Sequence, residues 1–280
     1  MFLFPLFLLQ AASPAAAQPL PTLDEVQFAE CLTLASKDPA SAISSASLWA
    51  QQNGGYLARA CHGFALATDF KFDLAVPMLT EAATLAEAKG DPRAARFWAQ
   101  AGNAAIAVGQ AEVAIDALGK ALASKILDND ARAECEVDRA RAFVALGKSA
   151  DGEAALETAR QLAPENGAAW LLSATLARRL NKLPEALAFI QTSAALLPSD
   201  PAVALEAGNI AIAAGDDNTA RAQWEQAIKI APNSRQAVTA TAQLAALAAA
   251  TPAPTSEPQS RSFKCARPFP CVDSGQGSWH

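Results

Sequence analysis

Small residues recur at fixed places among the apolar residues of this chain, and the pattern is clearest in residues 201–232. Within this stretch Gly208 and Ala220 are small, and Pro232 ends it. The pattern predicts two helices joined by a tight turn at Gly215, because glycine tolerates the left-handed backbone that ends a helix. The stretch is therefore a predicted helical hairpin.

The same pattern recurs earlier in the chain. Copies begin at Ala133, Gly167 and Pro201, which are 34 residues apart, and two looser copies begin near Ala95 and Tyr56. The fourth copy has its small and large landmarks at Trp170, Ala174, Ala177, Asn181, Ala186, Ile190 and Ala194. A period of this length indicates stacked helical repeats.

Helix packing explains why certain positions are small. Counted from the first residue of each copy, small residues stand at positions 8, 20 and 27, and large ones at positions 4, 11 and 24. Each buried large side chain contributes roughly 1.5–3 kcal/mol, so one copy alone cannot offset its chain entropy, whereas stacked copies can. Pro164, Pro198 and Pro232 are expected to end the second helix of each copy.

The period and its landmarks resemble the tetratricopeptide repeat (TPR) family, whose pattern combines W-x-x-L-G, A-x-x-x-F and a final Pro. The resemblance covers residues 56–234 and implies an all-α fold, a right-handed α-solenoid of stacked helix-turn-helix hairpins. Pro77 falls inside the second helix of the first copy, where it is tolerable only in the first turn.

The segments that flank the repeats carry their own signals. Thr22 and Glu25 match a capping box, and Asp38 followed by Pro39 matches the start of a second helix. The predicted division is a degenerate N-terminal helix pair at 22–53, five TPR-like repeats at 56–234, a capping helix at 235–250 and a disordered tail, rich in Pro and Ser, at 251–280.

The first residues match a secretory signal peptide at 1–17. Residues 1–9 are an apolar run too short to span a bilayer, which needs about 20 residues, and three alanines ending at Ala17 suit signal peptidase. We expect cleavage after Ala17 and a periplasmic or secreted protein. The alternative is a buried N-terminal segment of a cytosolic protein.

Export would place five cysteines in an oxidising compartment. Cys31 and Cys61 lie on predicted neighbouring helices and can form a disulfide, and so can Cys265 and Cys271, which lie close together in the tail. The alternative is that Cys31, Cys61 and Cys135 are small apolar core residues.

Composition and motifs argue against nucleic-acid binding and catalysis. The net charge of −6 would repel phosphates. His62 directly follows Cys61, and neighbours on a helix point about 100° apart, so they cannot act as a nucleophile and its base. There is no phosphate loop, zinc motif or nucleophile elbow, and Cys265 with Cys271 would make a poor metal site. We expect no catalytic residue, metal, cofactor or enzymatic activity.

The TPR resemblance also implies a concave groove lined by the first helix of each repeat. The groove positions of the family give the candidate partner-binding residues Arg96, Asn103, Arg141, Arg178, Arg179 and Asn209. Arginine can bond both oxygens of a carboxylate, so we expect an extended peptide with acidic groups or a free C-terminus. Alternatively, the asparagines are structural and the arginines only solvated. Replacing Arg141 and Arg178 with Glu should abolish binding without lowering the melting temperature.

These features predict a scaffold for protein–protein contacts in the periplasm, serving complex assembly or maturation. Its partner would be a protein or peptide, with no nucleic acid and no membrane span. The alternative is a permanent structural or regulatory subunit of an envelope enzyme complex. An obligate interface would need a large apolar patch on the convex face, whereas transient peptide capture needs a polar groove.

Overall fold

A computed structural model describes residues 20–250. This part of the chain forms thirteen α-helices and no β-strand, which confirms the all-α prediction. The helices are α1 (Leu23–Lys37), α2 (Pro39–Gln51), α3 (Gly55–Thr68), α4 (Phe72–Ala88), α5 (Ala94–Ala107), α6 (Ala111–Ala123), α7 (Asn129–Ala145), α8 (Ser149–Leu162), α9 (Gly167–Arg179), α10 (Leu183–Leu196), α11 (Pro201–Ala213), α12 (Asp217–Ile230) and α13 (Arg235–Ala250). The predicted signal peptide at 1–17 with its cleavage after Ala17, the tail at 251–280, and Cys265 with Cys271 lie outside the described residues.

The first two helices begin at the caps that the sequence predicts. The Glu25 N–H donates to the Thr22 hydroxyl at 3.3 Å, and the Thr22 N–H donates to the Glu25 carboxylate at 2.9 Å. Asp38 accepts from the Ser41 N–H at 3.1 Å, and Pro39 takes the first position of α2, where its missing N–H needs no partner. Both capping predictions are confirmed.

The helices α3 to α12 form five successive hairpins, each closed by a turn residue in the left-handed region. Gly109, Gly147, Asn181 and Gly215 have φ angles of 75°, 73°, 59° and 82°, which confirms the predicted turns. Phe70 holds this position in the first hairpin with a φ of 59°, although a bulky side chain is strained there. All five turns therefore share one backbone conformation, whichever residue occupies it.

The evenly spaced prolines lie just beyond α8, α10 and α12, which end at Leu162, Leu196 and Ile230. Ala163, the residue before the first of these prolines, lies outside the helical region, with φ −138° and ψ 81°. A proline ring disfavours helical backbone at the preceding residue, so it ends the second helix of the repeat as predicted.

Glycine at position 8 of a repeat lies directly against the large residue at position 24. A Cβ atom built on Gly102 would lie 2.6 Å from Leu118 Cγ. A Cβ atom on Gly208 would overlap the indole of Trp224, which is 1% exposed. In these repeats glycine at position 8 is therefore a packing requirement, because an added methyl group would displace the core residue at position 24.

Three local assignments differ from the sequence prediction. Ser193, not Ala194, fills the small buried position of the fourth repeat, because its hydroxyl donates to the first carbonyl of α9 at 3.0 Å and it is 0% exposed. Pro77 lies in the second turn of α4, not the first. Trp170 is only half-buried, with its Nε1–H donating to the Pro164 carbonyl at 2.7 Å.

The first helices of the hairpins lie closer together than the second helices. Contacts join α3 to α5, α5 to α7, α7 to α9 and α9 to α11. Within residues 20–250 no two successive second helices pack to that extent. The stack therefore curves with its first helices inside, and α13 packs against α11 and α12 at its end.

Candidate functional site

The inner surface carries three adjoining concavities, which together we call the α5–α7–α9 groove. The first, of about 320 Å³, includes Arg96 and Asn103; the second, of about 280 Å³, includes Asn103 and Arg141. The third, of about 450 Å³, includes Arg141 and Arg179. Because Asn103 and Arg141 each border two concavities, the groove is continuous, and four of the six candidate residues line it.

Acidic side chains partly neutralise the positive charge of this groove. The Asn103 amide donates to Asp138 Oδ2 at 3.0 Å, and Asp138 also forms an ion pair with Arg141. Glu134 is exposed in the same part of the groove. Arg96 is exposed on α5 and forms no ion pair within the described part of the chain. The groove is therefore polar and of mixed charge, whereas the predicted arginines alone indicated a positively charged groove.

Arg178 and Asn209 belong to a network between α9 and α11. Arg178 Nε lies 2.6 Å from Glu206 Oε1, and its Nη2 lies 3.3 Å from Oε2. Asn209 donates to Glu206 at 3.2 Å and accepts from the Trp224 Nε1–H at 3.2 Å. The network connects two repeats through Glu206, which is 7% exposed. Both candidate residues thus have contacts that stabilise the stack.

This network argues against a stability-neutral replacement of Arg178. Arg178→Glu would place a second carboxylate beside buried Glu206, and two like charges in a poorly hydrated site are unfavourable. Arg179 is a better target for charge reversal, because its side chain is exposed at the groove. Arg141 pairs with Asp138, whose side chain is 14% exposed, so a neutral replacement such as Arg141→Gln suits it better.

The third concavity is a pocket with an apolar base, which we call the Gly152 pocket after the residue beneath it. It lies among α7, α8 and α9. Its base consists of Val144, Leu156, Leu172 and Leu176, and its rim includes Arg141, Ala145, Thr175 and Arg179. The sequence pattern did not identify this pocket, although Gly152 at a position where the other repeats have alanine was a usable signal.

A disulfide joins Cys31 on α1 to Cys61 on α3, with Cα atoms 6.1 Å apart. Both residues are also buried, at 7% and 0% exposure. Cys135 is a buried free cysteine, and burial raises the pKa of its thiol to about 12. The Cys135 thiol therefore stays protonated at neutral pH and is a poor nucleophile.

The described residues contain no group of three His, Cys, Asp or Glu side chains placed to hold a metal ion. Cys61 is part of the disulfide, and burial lowers the pKa of its neighbour His62. The pair therefore has no thiol that a base could activate. None of the helices between residues 20 and 250 has the length and apolar character needed to cross a bilayer. That the protein is not an enzyme stays a prediction.

Comparison with protein families matches residues 137–201 to the tetratricopeptide repeat. The matched segment begins within α7 and ends at the first residue of α11, so it contains the Gly152 pocket. The TPR resemblance is thereby confirmed for these repeats. No curated protein matches the sequence.

Solved structures with a similar fold include PilW, described as a widely conserved type IV pilus biogenesis factor. It is 15% identical, with a TM-score of 0.67 over 79% of this chain and 100% of PilW. PilF of Pseudomonas aeruginosa is 16% identical, with a TM-score of 0.61 over 79% and 99% of the two chains. TTC0263, a TPR protein of Thermus thermophilus, is 17% identical, with a TM-score of 0.55 over 70% and 100%. These likenesses establish the fold, a TPR-like solenoid of stacked helix pairs.

Proposed function

We propose that this TPR solenoid is an exported scaffold that binds an extended segment of a partner protein in the α5–α7–α9 groove. Its role would be the assembly or maturation of a periplasmic complex. The observation that carries the proposal is the continuity of the groove across three first helices. A continuous strip of this kind suits an extended chain better than a compact small molecule.

The groove offers the two kinds of contact that a peptide needs. Asn103, Arg141 and Arg179 present polar groups that can bond a peptide backbone or an acidic side chain. Val144 and Leu172 present apolar surface that can bury a side chain. Polar contacts then set the position of the peptide, and apolar contacts contribute affinity.

Two features support export. The N-terminal run ending at Ala17 has the composition of a signal peptide, and the Cys31–Cys61 disulfide suits an oxidising compartment. The description of PilW as a pilus biogenesis factor makes assembly of an envelope structure the setting to test first.

A permanent subunit of an envelope enzyme complex is the alternative, and it requires a large apolar patch on the outer side. The exposed large apolar residues of the second helices are Leu74 and Leu85 on α4, Val113 on α6 and Leu187 on α10. They are single residues spread over three helices, a pattern typical of ordinary surfaces. The polar groove therefore favours transient capture of a partner.

A site-specific photocrosslinker in the native host tests the proposal. Benzoylphenylalanine replaces Glu134 in the groove or, as a matched control, Glu112, which is exposed on the outer helix α6. We expect discrete adducts from position 134, identified by mass spectrometry, and none of them from position 112. The proposal fails if both positions give the same adducts, or if neither gives any.

Charge reversal and cell fractionation complete the test. Arg141→Gln together with Arg179→Glu should remove the adducts formed at position 134, because this part of the groove then loses both cations. The melting temperature should hardly change, because a glutamine at position 141 can still donate a hydrogen bond to Asp138, and Arg179 is exposed and forms no ion pair within residues 20–250. Recovery of the protein in the cytosol of the native host would contradict the export part of the proposal.

A further inference from the structure

One repeat lacks the alanine that the others place between the two helices of the hairpin. Position 20 is Ala75, Ala114, Ala186 and Ala220 in four repeats, each 0% exposed. It is Gly152 in the α7–α8 hairpin. Glycine destabilises a helix interior relative to alanine, and the φ of Gly152 is not positive. Backbone conformation therefore does not require glycine here.

The missing methyl group lies beneath the Gly152 pocket. A Cβ atom at residue 152 would lie 3.0 Å from Val144 Cγ2 and 3.6 Å from Leu176 Cδ2, and both residues form the base of the pocket. Carbon atoms prefer separations of about 3.5–4.0 Å, so the methyl group would push Val144 into the pocket. Gly152 thus keeps the pocket deep although alanine would make a more stable helix.

The lining of the pocket indicates its occupant. The base presents only aliphatic side chains, and the volume of about 450 Å³ accommodates one large side chain. At the rim, Arg141 keeps its side chain 44% exposed and shares Asp138 with Asn103. Arg179 forms no ion pair within residues 20–250. The rim therefore favours a negatively charged group beside the apolar side chain.

We propose that the Gly152 pocket binds one bulky apolar side chain of the partner peptide, while Arg141 and Arg179 bind the carboxylate of the adjacent residue. This inference rests on the proposed peptide-binding function and specifies the sequence that the groove selects. The preferred motif is an aromatic or large aliphatic residue next to an acidic one. A peptide with the acidic residue alone would contact only the arginines, and a peptide with the apolar residue alone would fill only the pocket.

Fluorescence anisotropy with four defined peptides tests the preference. Fluorescein-labelled peptides of Gly and Ser carry a central Phe-Glu, Ala-Glu, Phe-Gln or Ala-Gln pair. We expect Phe-Glu to bind at least about tenfold more tightly than Ala-Glu, because the pocket removes the ring from water. It should bind about threefold more tightly than Phe-Gln, because the charge contact is partly exposed. Equal affinity for all four peptides would overturn the inference.

Variants of the rim identify the pocket as the site of this preference. Ala145→Phe fills the pocket from its exposed rim, and Ala150→Phe, at an exposed position of α8, is the matched control. The first should bind Phe-Glu and Ala-Glu equally, whereas the second should keep the tenfold preference. Arg141→Gln together with Arg179→Gln should remove the preference for Glu over Gln. If Ala145→Phe and Ala150→Phe weaken Phe-Glu binding equally, the pocket is not the site.

Gly152→Ala gives a signature that a merely destabilised protein cannot produce. The variant should keep or raise the melting temperature while weakening the binding of Phe-Glu, because the alanine improves the helix and makes the pocket shallower. Unchanged binding by this variant would contradict the assigned role of Gly152.

The two proposals fail separately. Crosslinking at position 134 reports partner capture whichever side chain enters the pocket. Crosslinks without any preference among the four peptides would retain the groove function and reject the Gly152 pocket. A peptide preference without crosslinks in the cell would retain the pocket and reject the proposed cellular role.

Discussion

Arg178 on α9 and Glu206 on α11 form a two-pronged ion pair between neighbouring repeats, with Nε and Oε1 2.6 Å apart. Glu206 is 7% exposed and also accepts a hydrogen bond from Asn209. Asn209 in turn accepts from Trp224, which fills the centre of the last repeat. A charge expected to face a partner therefore stabilises the contact between two repeats.

Replacing Arg178 with Ala should destabilise the protein, because it leaves Glu206 buried without its cation. We expect the free energy of unfolding to fall by about 1–3 kcal/mol, measured by urea denaturation. Arg179→Ala, at the exposed neighbour, is the control and should change it by less than about 0.5 kcal/mol. Similar effects at both positions would show that the pair with Glu206 does not stabilise the fold.

Gly208→Ala should also destabilise the protein, although alanine is the better helix former. The added methyl group would overlap the buried indole of Trp224, and overpacking of this kind typically costs about 1–3 kcal/mol. Gly119 lies inside α6 with no atom near its missing Cβ. Gly119→Ala should therefore stabilise the protein by about 0.5–1 kcal/mol, with both variants measured by urea denaturation. A gain from both substitutions would refute the packing explanation.

Removal of the Cys31–Cys61 disulfide should lower the free energy of unfolding by about 3–4 kcal/mol, because the bridge restricts the unfolded chain across a sequence separation of 30. The variant Cys31→Ala with Cys61→Ala should therefore melt at a lower temperature than the oxidised wild type. Dithiothreitol should lower the melting temperature of the wild type and leave that of the double variant unchanged. A wild type insensitive to reductant would count against the bridge.

The half-buried carboxylate of Asp91 predicts how stability depends on pH. Asp91 accepts hydrogen bonds from Tyr56 and Arg93, and Arg93 Nη2 lies 2.6 Å from Asp91 and 3.3 Å from Glu25. Burial by itself would raise the pKa of Asp91. The hydrogen bonds from Arg93 and Tyr56 outweigh burial and lower the pKa to about 2.

Because the pKa of Asp91 is lower in the folded than in the unfolded protein, its contribution to stability is complete above the unfolded pKa. It is lost as the pH falls from about 4 to about 2, and it amounts to about 2 kcal/mol. Asp91→Asn should therefore be less stable than the wild type at pH 7 and should lose less stability in acid. Parallel stability curves for the two proteins between pH 5 and about pH 2 would contradict this assignment.

Local sequence rules predicted the hairpins because they act within a few residues. Thr22 and Asp38 cap helices through their own neighbours, and Gly147 and Gly215 supply the left-handed turn. The landmark at Ala194 in the fourth repeat is wrong by one residue, since position 27 counted from Gly167 is Ser193. Ser193 fills that position, because a serine can be buried when an acceptor from another helix lies within reach. The acceptor is the Gly167 carbonyl, 26 residues earlier in the chain, and the local sequence pattern does not predict that contact.

The candidate site was predicted less completely than the fold. The repeat register placed Arg141 and Arg179 on the groove, and both line it. It placed Arg178 and Asn209 there as well, and their contacts with Glu206 arise only when α9 packs against α11. The sequence analysis did not predict the Gly152 pocket. Its depth depends on the position of the Val144 side chain, which is set only when α7, α8 and α9 pack together.

The sequence by itself determined the thirteen-helix pattern of the described part and its stacking, since periodic small and large residues act through contacts within a hairpin and with the next one. The tertiary structure alone decided which charges are neutralised and where the groove deepens. Ion pairing and cavity shape depend on distances of a few ångströms between side chains far apart in the chain. A repeat period determines which face of a helix a residue occupies. It does not determine which side chain of a neighbouring helix the residue will contact.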